Sequence, residues 1–485
     1  MRPFATITLL TILMSFAFAA TINVPADVAT IQGGIDSATE GDTVLVAAGT
    51  YFENLEYKGK NICVVSEKGP DSTIIDGSTN GPVVLMVSGE SNAAILDGFT
   101  IQNGTGVPSL TNPDANFGGG ICLRYNASPT LRNLIVKNNS VTGTNSSGGG
   151  IGISTGSTAH LENIIIEFNS AFYGGGLFAY FSSPTMENVI LRNNTVTSSG
   201  GAAAFQQSNV RMYKVTANNN MAIEYGGAFW FYDKSEVRII NTTIAKNKAL
   251  LENGGGAGML MTDCDVFFLN SIIWENTAPN IVSVVSGVYP ANTLGIAYSD
   301  LEGGEDGLHL SSGELSIYEN NLESDPLCVD PANKDFCLSP TSPCIDAGVA
   351  YYHYGPELIL DLEDSTEYYG VAPDMGAFES NHPTTHVADE NLPCKLQLHQ
   401  NYPNPFNPST QISWSLSTSS SIRLEVFNLK GELINTLVSG VRNEGQPSST
   451  WDGTDLRGHS VESGIYLYRL ISDSEIISRS MLLLR

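Results

Sequence analysis

Hydrophobic and polar residues in the middle of the chain follow a pattern that returns every 25 to 30 residues. The unit reads L-x-N-h-x-h-x-x-N, in which h is an apolar residue. Clear copies begin at Leu131, Leu161 and Met186, weaker copies at Met212, Ile239 and Phe268, and a degenerate early copy at Leu96. Spacings of 30, 25, 26, 27 and 29 residues separate the second asparagines of six copies, which are Asn139, Asn169, Asn194, Asn220, Asn247 and Asn276. This period predicts one coil of a β-solenoid per repeat, since leucine-rich repeats need a leucine ladder and propeller blades need longer units.

Glycine clusters keep the same period as the asparagines. They stand at Gly118–Gly120, Gly148–Gly150, Gly174–Gly176, Gly200–Gly201, Gly226–Gly227 and Gly254–Gly256. Glycine adopts positive φ at little cost, so these clusters are expected to form corners between strands. The recurrent asparagine should stack on its counterpart in the next coil through the side-chain amide. Because one coil cannot bury its apolar face alone, neighbouring coils must share a core.

The segment after each glycine cluster alternates, which predicts a strand with one inward and one outward column of side chains. The inward column is predicted to hold Ile121 and Leu123, Ile151 and Ile153, Leu177 and Ala179, Ala203 and Phe205, Phe229 and Phe231, and Gly258 and Leu260. The outward column is predicted to hold Cys122 and Arg124, Gly152 and Ser154, Phe178 and Tyr180, Ala204 and Gln206, Trp230 and Tyr232, and Met259 and Met261.

Aromatic residues of the outward column form the candidate binding site. Phe178 and Tyr180 are expected on one coil, Gln206 on the next, and Trp230 and Tyr232 on the third. On the same side stand Arg124, Phe117, Tyr173 and Tyr225. Exposed rings stack on sugar C–H faces while amide and guanidinium groups hydrogen-bond the hydroxyls, so the row predicts a polysaccharide ligand. Two coils span about 9.6 Å, near the length of a disaccharide unit. Alternatively, the rings reflect only the strand preference of aromatics, or a C-terminal loop covers them.

The N-terminus and the charge predict an exported protein. Residues 1–19 read as a signal peptide, with Arg2 as the positive region, an apolar stretch from Leu9 to Phe18, and a cleavage site at Ala17-Phe18-Ala19. No later stretch is apolar enough to span a bilayer. The 50 acidic and 23 basic residues give a net charge of −27, which argues against a nucleic-acid partner. The predicted location is extracellular or the outer-membrane surface.

The cysteines suit an oxidising compartment. Of the seven, Cys328, Cys337 and Cys344 lie close together after the repeats, so one disulfide among them is expected, with the pairing left open. No cysteine and histidine set has the spacing of a zinc site, and no metal is predicted.

The residues leave open whether the protein is an enzyme. Asp233 and Asp263, near the end of the outward strand, could act as acid and base, but the sequence gives no distance between them. Two acidic loops could hold calcium, but neither has EF-hand spacing, so the preferred interpretation is solvated loops and no cofactor. These loops contain Asp300, Glu302, Glu305 and Asp306, and Asp361, Glu363 and Asp364.

A different alternating pattern fills residues 396–485, after a polar linker at 386–395. Strands are predicted at 422–427, 434–437, 465–470 and 480–485, with a turn at Asp452-Gly453. Seven short strands in about ninety residues predict an immunoglobulin-like β-sandwich.

The stretch from Ile22 to Glu379 resembles the pectin-lyase-like family of right-handed parallel β-helices. The resemblance rests on the repeats, on the opening ATIQGGIDSATEGDTVLVAAGTYFENLEYKGKNICVVSEKGPDSTIIDG, and on the tail SDPLCVDPANKDFCLSPTSPCIDAG followed by APDMGAFE. It implies an all-β fold, with a right-handed parallel β-helix (solenoid) over residues 20–300. A short N-terminal cap would turn Ile31, Ile35 and Ala38 toward the first coil. Residues 301–385 would cap the other end.

Catalytic motifs of that family are not recognisable here. The R-x-P-x-x-R signature of pectate lyases is absent, because Arg124 and Arg132 flank Pro129 at the wrong spacing. The G-x-Y-x-E of pectin methylesterases is matched at residues 49–53, GTYFE, but it is a fold motif as much as a site. No close set of aspartates suited to hydrolysis occurs in the repeats.

The C-terminal region resembles a type IX secretion sorting domain. The resemblance rests on YPNPFNPST, WDG, SGIYLYRL and the basic last residue, in that order. It implies export by the type IX secretion machinery and then release or surface anchoring. An ordinary accessory sandwich domain is the alternative.

Three functions remain open. The first is a non-catalytic surface protein, expected to be a monomer, that binds polysaccharide. The second is a divergent polysaccharide lyase or glycoside hydrolase, and the third is a structural adhesin.

Overall fold

The chain divides into two units, residues 1–384 and 385–485. A computed structural model describes residues 19–110, 114–251, 256–277, 282–285, 293–311, 313–363, 367–380, 397–398, 401, 406–415, 420–428, 433–442, 448–472 and 476–483. The predicted signal peptide up to residue 18, the linker, Cys394, Asp364, the YPNP segment at 402–405 and the last basic residue lie outside this range.

Unit 1 is a parallel β-helix whose strands stack in register from coil to coil. Sheet 1 comprises Thr21–Val24, Thr43–Val46, Gly49–Phe52, Cys63–Ser66, Thr73–Asp76, Ile95–Asp97, Thr100–Gln102, Thr130–Lys137, His160–Glu167, Thr185–Arg192, Asn209–Tyr213, Thr216–Asn218, Glu236–Ile240, Thr243–Ala245, Asp265–Leu269, Ile272–Trp274, Thr293–Ala297, Asp300–Leu301 and Glu314–Glu319. Sheet 2 comprises Leu55–Glu56, Val84–Met86, Ile121–Leu123, Ile151–Ser154, Leu177–Tyr180, Ala203–Gln206, Phe229–Tyr232, Met259–Thr262, Val282–Val285 and Leu308–Leu310. Sheet 3 comprises Ser170–Tyr173, Thr195–Ser199, Met221–Ala222 and Lys248–Ala249.

Buried asparagines form a continuous ladder through the middle coils, as the repeat predicts. The backbone N–H and the side-chain Nδ2 of Asn169 donate to Oδ1 of Asn194 at 3.0 and 3.1 Å, and Asn194 donates in the same way to Asn220 at 3.0 Å. The same pairs join Asn139 to Asn169, Asn220 to Asn247, and Asn247 to Asn276. Each amide therefore satisfies buried groups at a corner where the sheet ladder is interrupted.

Glycines at the other corner allow the coils to approach closely. Gly174 and Gly200 have φ of 60° and 74°, a conformation that favours glycine. A Cβ atom on Gly201 would lie 2.3 Å from the carbonyl oxygen of Gly227 in the next coil. The glycine clusters are thus required by both conformation and coil spacing.

The N-terminal end is closed by the helix Ile31–Ser37. Ile31, Ile35 and Ala38 are buried, which confirms their predicted direction. Glu53 accepts hydrogen bonds from the backbone N–H of Ile31 and Gln32, both at 2.9 Å. The carboxylate thus satisfies N–H groups of the first helical turn, so the glutamate of GTYFE has a structural role here.

The β-helix continues beyond residue 300, where the sequence placed its end. Glu314–Glu319 pairs in parallel with Thr293–Ala297, and Leu308–Leu310 pairs with Val282–Val285. The one-turn helix Gly304–Gly307 connects these last strands. One further coil therefore belongs to the solenoid, because its pairing persists although its asparagine pattern has faded.

The described residues of 323–380 pack along the side of the β-helix, whereas the sequence predicted a cap over its end. The hairpin Tyr351–Tyr354 and Glu357–Asp361 lies on the outer surface of sheet 1. Tyr354 stacks on Phe267 with ring centroids 4.5 Å apart, and Glu357 pairs with Arg238 at 2.9 Å. A second hairpin, Cys328–Asp330 and Asp335–Leu338, flanks the one-turn helix Pro331–Asn333.

The six described cysteines form no disulfide, contrary to the one predicted among Cys328, Cys337 and Cys344. Cys344 is buried, and its Sγ donates to Oδ2 of Asp300 at 3.1 Å, while Oδ1 of Asp300 accepts from the backbone N–H of Ser324 at 3.1 Å. Asp300 is fully buried in a strand, so it is not part of a solvated acidic loop. Burial raises the pKa of Asp300 to about 6.

Replacing Asp300 with asparagine is expected to flatten the pH dependence of stability. The pKa of the folded state lies above the usual value of 3.8, so the native state retains a proton that the unfolded chain loses. Its contribution, about 3 kcal/mol for this shift, is complete below about pH 4 and is lost as the pH rises through 6. Urea unfolding at pH 4.5 and pH 8 should show the variant gaining stability relative to the wild type at the higher pH. Parallel pH profiles would contradict this.

Unit 2 is an antiparallel β-sandwich. Its described strands form a three-stranded sheet, Gln397–Leu398, Thr410–Ser415 and Ser448–Trp451, and a four-stranded sheet, Leu433–Arg442, Ser420–Asn428, Gly464–Ser472 and Ile476–Leu483. Trp414, Trp451 and Tyr468 are buried in one core, with Leu424 and Val426 from the larger sheet. The predicted immunoglobulin-like fold is confirmed. No helix in the described parts of the chain has the length and apolar character needed to cross a membrane.

Candidate functional site

The strands of sheet 2 divide their side chains between the core and the outer surface. Ile151, Leu177, Ala203 and Phe229 lie in one column and are fully buried in the core. The repeat that contains the strand Met259–Thr262 is shifted by one residue relative to the prediction. Met259 pairs with Phe229 and lies in the core together with Met261, and Leu260 pairs with Trp230 on the outer side.

Large and small residues alternate from coil to coil on the outer surface of sheet 2. Gly152 precedes Phe178 in the outward column, and Ala204 separates Phe178 from Trp230. The ring of Phe117 covers Gly152, where a Cβ atom would lie 2.6 Å from it, and meets Phe178 edge to face at 6.3 Å. Phe178 is consequently only 8% exposed, so its ring does not offer the open face that the sequence predicted.

Arg124 is also covered and cannot reach a ligand as predicted. Both terminal nitrogens donate to the carbonyl oxygen of Pro108 at 3.2 Å, and the guanidinium lies 4.6 Å from the ring centroid of Phe117. Pro108 and Phe117 belong to a hairpin of the strands Val107–Pro108 and Asn116–Phe117. Arg124 therefore fastens this hairpin over the first coils of sheet 2.

Three partly exposed rings form a stack beyond the hairpin. Trp230 lies 5.1 Å from Tyr232 and 5.1 Å from Tyr173, with interplanar angles of 20° and 29°. Tyr173 and Trp230 are two coils apart, and the coil between them carries Ser199 and Ala204 at the corresponding positions. Small residues in the middle coil allow the rings to meet above it.

Tyr180, Gln206 and Tyr232 occupy three successive strands in direct register. All three side chains are partly exposed, as predicted for the outward column. Tyr225 is partly exposed as well and follows Ser199 in a column with Tyr173. The structure thus brings six of the eight predicted residues to the surface and buries Phe178 and Arg124.

Two exposed rings at the following corner were missed from the sequence. Tyr125 and Phe181 are 49% and 61% exposed and have φ of 56° and 51°. The same left-handed conformation recurs at this corner in the neighbouring coils, at Thr155, Gln207 and Asp233, so it belongs to the turn of the β-helix. Strand alternation would turn Phe181 inward after the outward Tyr180, so its exposure comes from the corner at the strand end and has no signal in the alternating pattern. Tyr173, Tyr180, Phe181, Gln206, Trp230 and Tyr232 are called the aromatic face below.

Polar groups border the aromatic face on both sides. Glu224 accepts a hydrogen bond from the hydroxyl of the buried Ser198 at 2.5 Å. Burial raises the pKa of the Tyr173 hydroxyl, and Ser198 hydrogen-bonds to it. On the opposite side, Asp233 and Asp263 occupy the left-handed corner in consecutive coils, with φ of 53° and 56°.

The other candidate ligands of a metal or catalytic group are dispersed. The carboxylate of Glu302 accepts a hydrogen bond from the backbone N–H of Glu275 at 2.7 Å, and Asp300 is buried beside Cys344. Within the part of the chain that the structure describes, no three histidine, cysteine or carboxylate groups converge as metal ligands would.

Two family models match the chain. A right-handed beta helix region matches residues 136–322, and an FlgD Ig-like domain matches residues 402–475. Together with the strand pairing, they show a right-handed parallel β-helix followed by an immunoglobulin-like sandwich. No curated protein matches the chain.

Several solved structures are similar to the chain at low identity. Pectin methylesterase from carrot is 15% identical over 56% of this chain and 90% of its own, with a TM-score of 0.30. The enzymatically active domain of tailspike protein 2 from bacteriophage CBA120 is 11% identical over 96% of this chain and 76% of its own, with a TM-score of 0.32. PorZ, a surface component of the type-IX secretion system of Porphyromonas gingivalis, is 15% identical over 22% of this chain, with a TM-score of 0.15, and the match spans 13% of PorZ. At these scores the likenesses carry no argument about activity.

Proposed function

We propose that this chain is an exported, monomeric surface protein that binds extracellular polysaccharide through the aromatic face without a cofactor. The observation that carries the proposal is the register of Tyr180, Gln206 and Tyr232 on three successive strands, with the ring of Phe181 exposed beside them. A glycan lying along the coil axis would meet a ring, an amide and a ring at steps of about 4.8 Å.

The position of the aromatic face also supports this function. The hairpin Tyr351–Tyr354 and Glu357–Asp361 covers the outer surface of the later coils of sheet 1, and the hairpin held by Arg124 covers the outer side of sheet 2 around Cys122 and Phe178. The remaining coils of sheet 2 present partly exposed rings with hydroxyl and amide groups, a combination that suits both the apolar and the polar surface of a sugar.

The test is retention on a panel of insoluble polysaccharides in the presence of EDTA, with the supernatant assayed for new reducing or unsaturated ends. Retention without turnover supports the proposal. New ends would favour a divergent lyase or hydrolase. If the protein shows neither retention nor turnover, the structural adhesin is the function that remains.

We further propose that unit 2 is a type IX sorting module. Its sandwich core contains the tryptophan of the WDG motif, Trp451, and the second tyrosine of SGIYLYRL, Tyr468, so two of the motifs that carry the resemblance contribute to one folded domain. The two buried rings stabilise the sandwich. Recognition by the secretion machinery would then use the surface of the sandwich.

Deleting residues 396–485 is expected to stop export across the outer membrane. In a host that carries type IX machinery, the full chain should be found at the cell surface or in the medium, and the truncated chain in the periplasm. Cell fractionation with an antibody to the β-helix measures this, and a host without the translocon serves as control. Surface display of the truncated chain would contradict the proposal.

A further inference from the structure

Carboxylates flank the aromatic face on both of its long sides. Glu224 directly precedes Tyr225 and is partly exposed, with Ser198 donating to its Oε2. Asp233 directly follows Tyr232 at the strand end and is also partly exposed. Asp263 takes the same corner position in the next coil, where its carbonyl oxygen accepts from the backbone N–H of Lys234 at 2.7 Å. A ligand on the rings therefore lies between the partly exposed carboxylates of Glu224 and Asp233, whereas Asp263 is buried.

The positively charged residues near the aromatic face do not neutralise the negative charge of these carboxylates. Arg124 is 6% exposed, and its guanidinium is occupied by Pro108 and Phe117. Lys234 lies next in sequence to Asp233 and carries one positive charge, against the two partly exposed carboxylates of Glu224 and Asp233. The whole chain carries a net charge of −27, which adds a repulsive long-range field for any polyanion.

We infer that the aromatic face excludes polyuronates and binds a polysaccharide that carries no carboxylates. A polyuronate carries a carboxylate on every sugar, so stacking its rings on Trp230 and Tyr232 would bring these charges toward Glu224 and Asp233. Arg124 cannot compensate this repulsion, because its guanidinium is covered. This inference rests on the proposed function and names the class of ligand for the same site.

The experiment compares binding of the full chain to hydroxyethyl cellulose, polygalacturonate and chitosan, which are neutral, anionic and cationic polymers. At low salt, the dissociation constant for the neutral polymer should be at least about tenfold lower than that for polygalacturonate. Added salt at ~0.3 M should narrow the difference, since the Debye length shortens to below about 8 Å. Chitosan should bind at least as tightly as the neutral polymer, because its positive charges are attracted to the same carboxylates. Tighter binding to polygalacturonate than to the neutral polymer would overturn the inference.

Matched charge variants separate the local effect from the net charge. Asp233→Asn keeps the left-handed corner, because asparagine tolerates positive φ, and should improve polygalacturonate binding about threefold at low salt. Glu224→Gln should act in the same direction. Glu314→Gln makes an equal charge change on an exposed residue in the last coil, away from the aromatic face. An equal gain in Glu314→Gln would show that only net charge matters and would overturn the inference.

Failure of the inference and failure of the proposed function give different results. Retention of polygalacturonate that disappears when Trp230 and Tyr232 are replaced would overturn the ligand class and leave the aromatic face as the glycan site. Failure to retain any of the three polymers would remove both.

Discussion

Replacing Trp230 and Tyr232 together with alanine is expected to weaken glycan retention about 100-fold, equivalent to ~2.7 kcal/mol. The two rings stack on each other at 5.1 Å, and Trp230 also stacks on Tyr173, so the substitution removes the centre of the ring stack. Clustered aromatic residues at binding sites commonly contribute most of the binding free energy. Depletion of the protein from solution by an insoluble polysaccharide measures the loss.

The variant should keep the β-helix folded with a modest loss of stability, because both rings lie outside the main core of unit 1, although Trp230 packs against the outer cluster that contains Phe178 and Ala204. Phe52→Ala is the matched control, since Phe52 is an aromatic residue 72% exposed in sheet 1. It should retain glycan like the wild type. Equal retention by the double variant and by Phe52→Ala would remove the aromatic face as the binding site.

The middle of the β-helix could be predicted because each repeat carries its own local requirements. The buried asparagine, such as Asn194, and the positive-φ glycine, such as Gly174, recur at positions where the backbone needs an amide or a left-handed residue. Inward and outward columns then follow from alternation alone. The prediction slipped by one residue at Met259, because Ala257-Gly258 lengthens the segment between the glycine cluster and the strand.

Burial on the outer surface could not be predicted, because it depends on segments distant in sequence. Phe178 is covered by Phe117, which lies 61 positions earlier, and Phe117 is held in place partly by Arg124. The same reason explains the position of residues 323–380. Their apolar pattern indicates packing against the β-helix, but it does not indicate whether they pack at its end or on its side.

Asn194→Ala is expected to destabilise unit 1 by about 4 kcal/mol or more. Oδ1 of Asn194 accepts from both N–H donors of Asn169, and its Nδ2 donates to the carbonyl of Ile166 and to Asn220. Alanine leaves the buried backbone N–H of Asn169 without its acceptor, which costs about 1–3 kcal/mol. It also removes one hydrogen bond each from Asn169 Nδ2, the carbonyl of Ile166 and Asn220 Oδ1, at about 0.5–1.5 kcal/mol each. Urea unfolding followed by circular dichroism should show a lower midpoint.

The matched control is Asn188→Gly. Asn188 lies in the same coil as Asn194, and it forms an exposed row with Asn163 of the preceding coil. Asn188 donates to Oδ1 of Asn163 at 3.1 Å in contact with solvent, and glycine accepts its φ of 54°. Water can replace the lost hydrogen bond, so the cost should stay below about 1 kcal/mol. If both substitutions lowered the unfolding free energy equally, the buried ladder would contribute no more than a surface row. The cohesion of the coils would then rest on apolar packing alone.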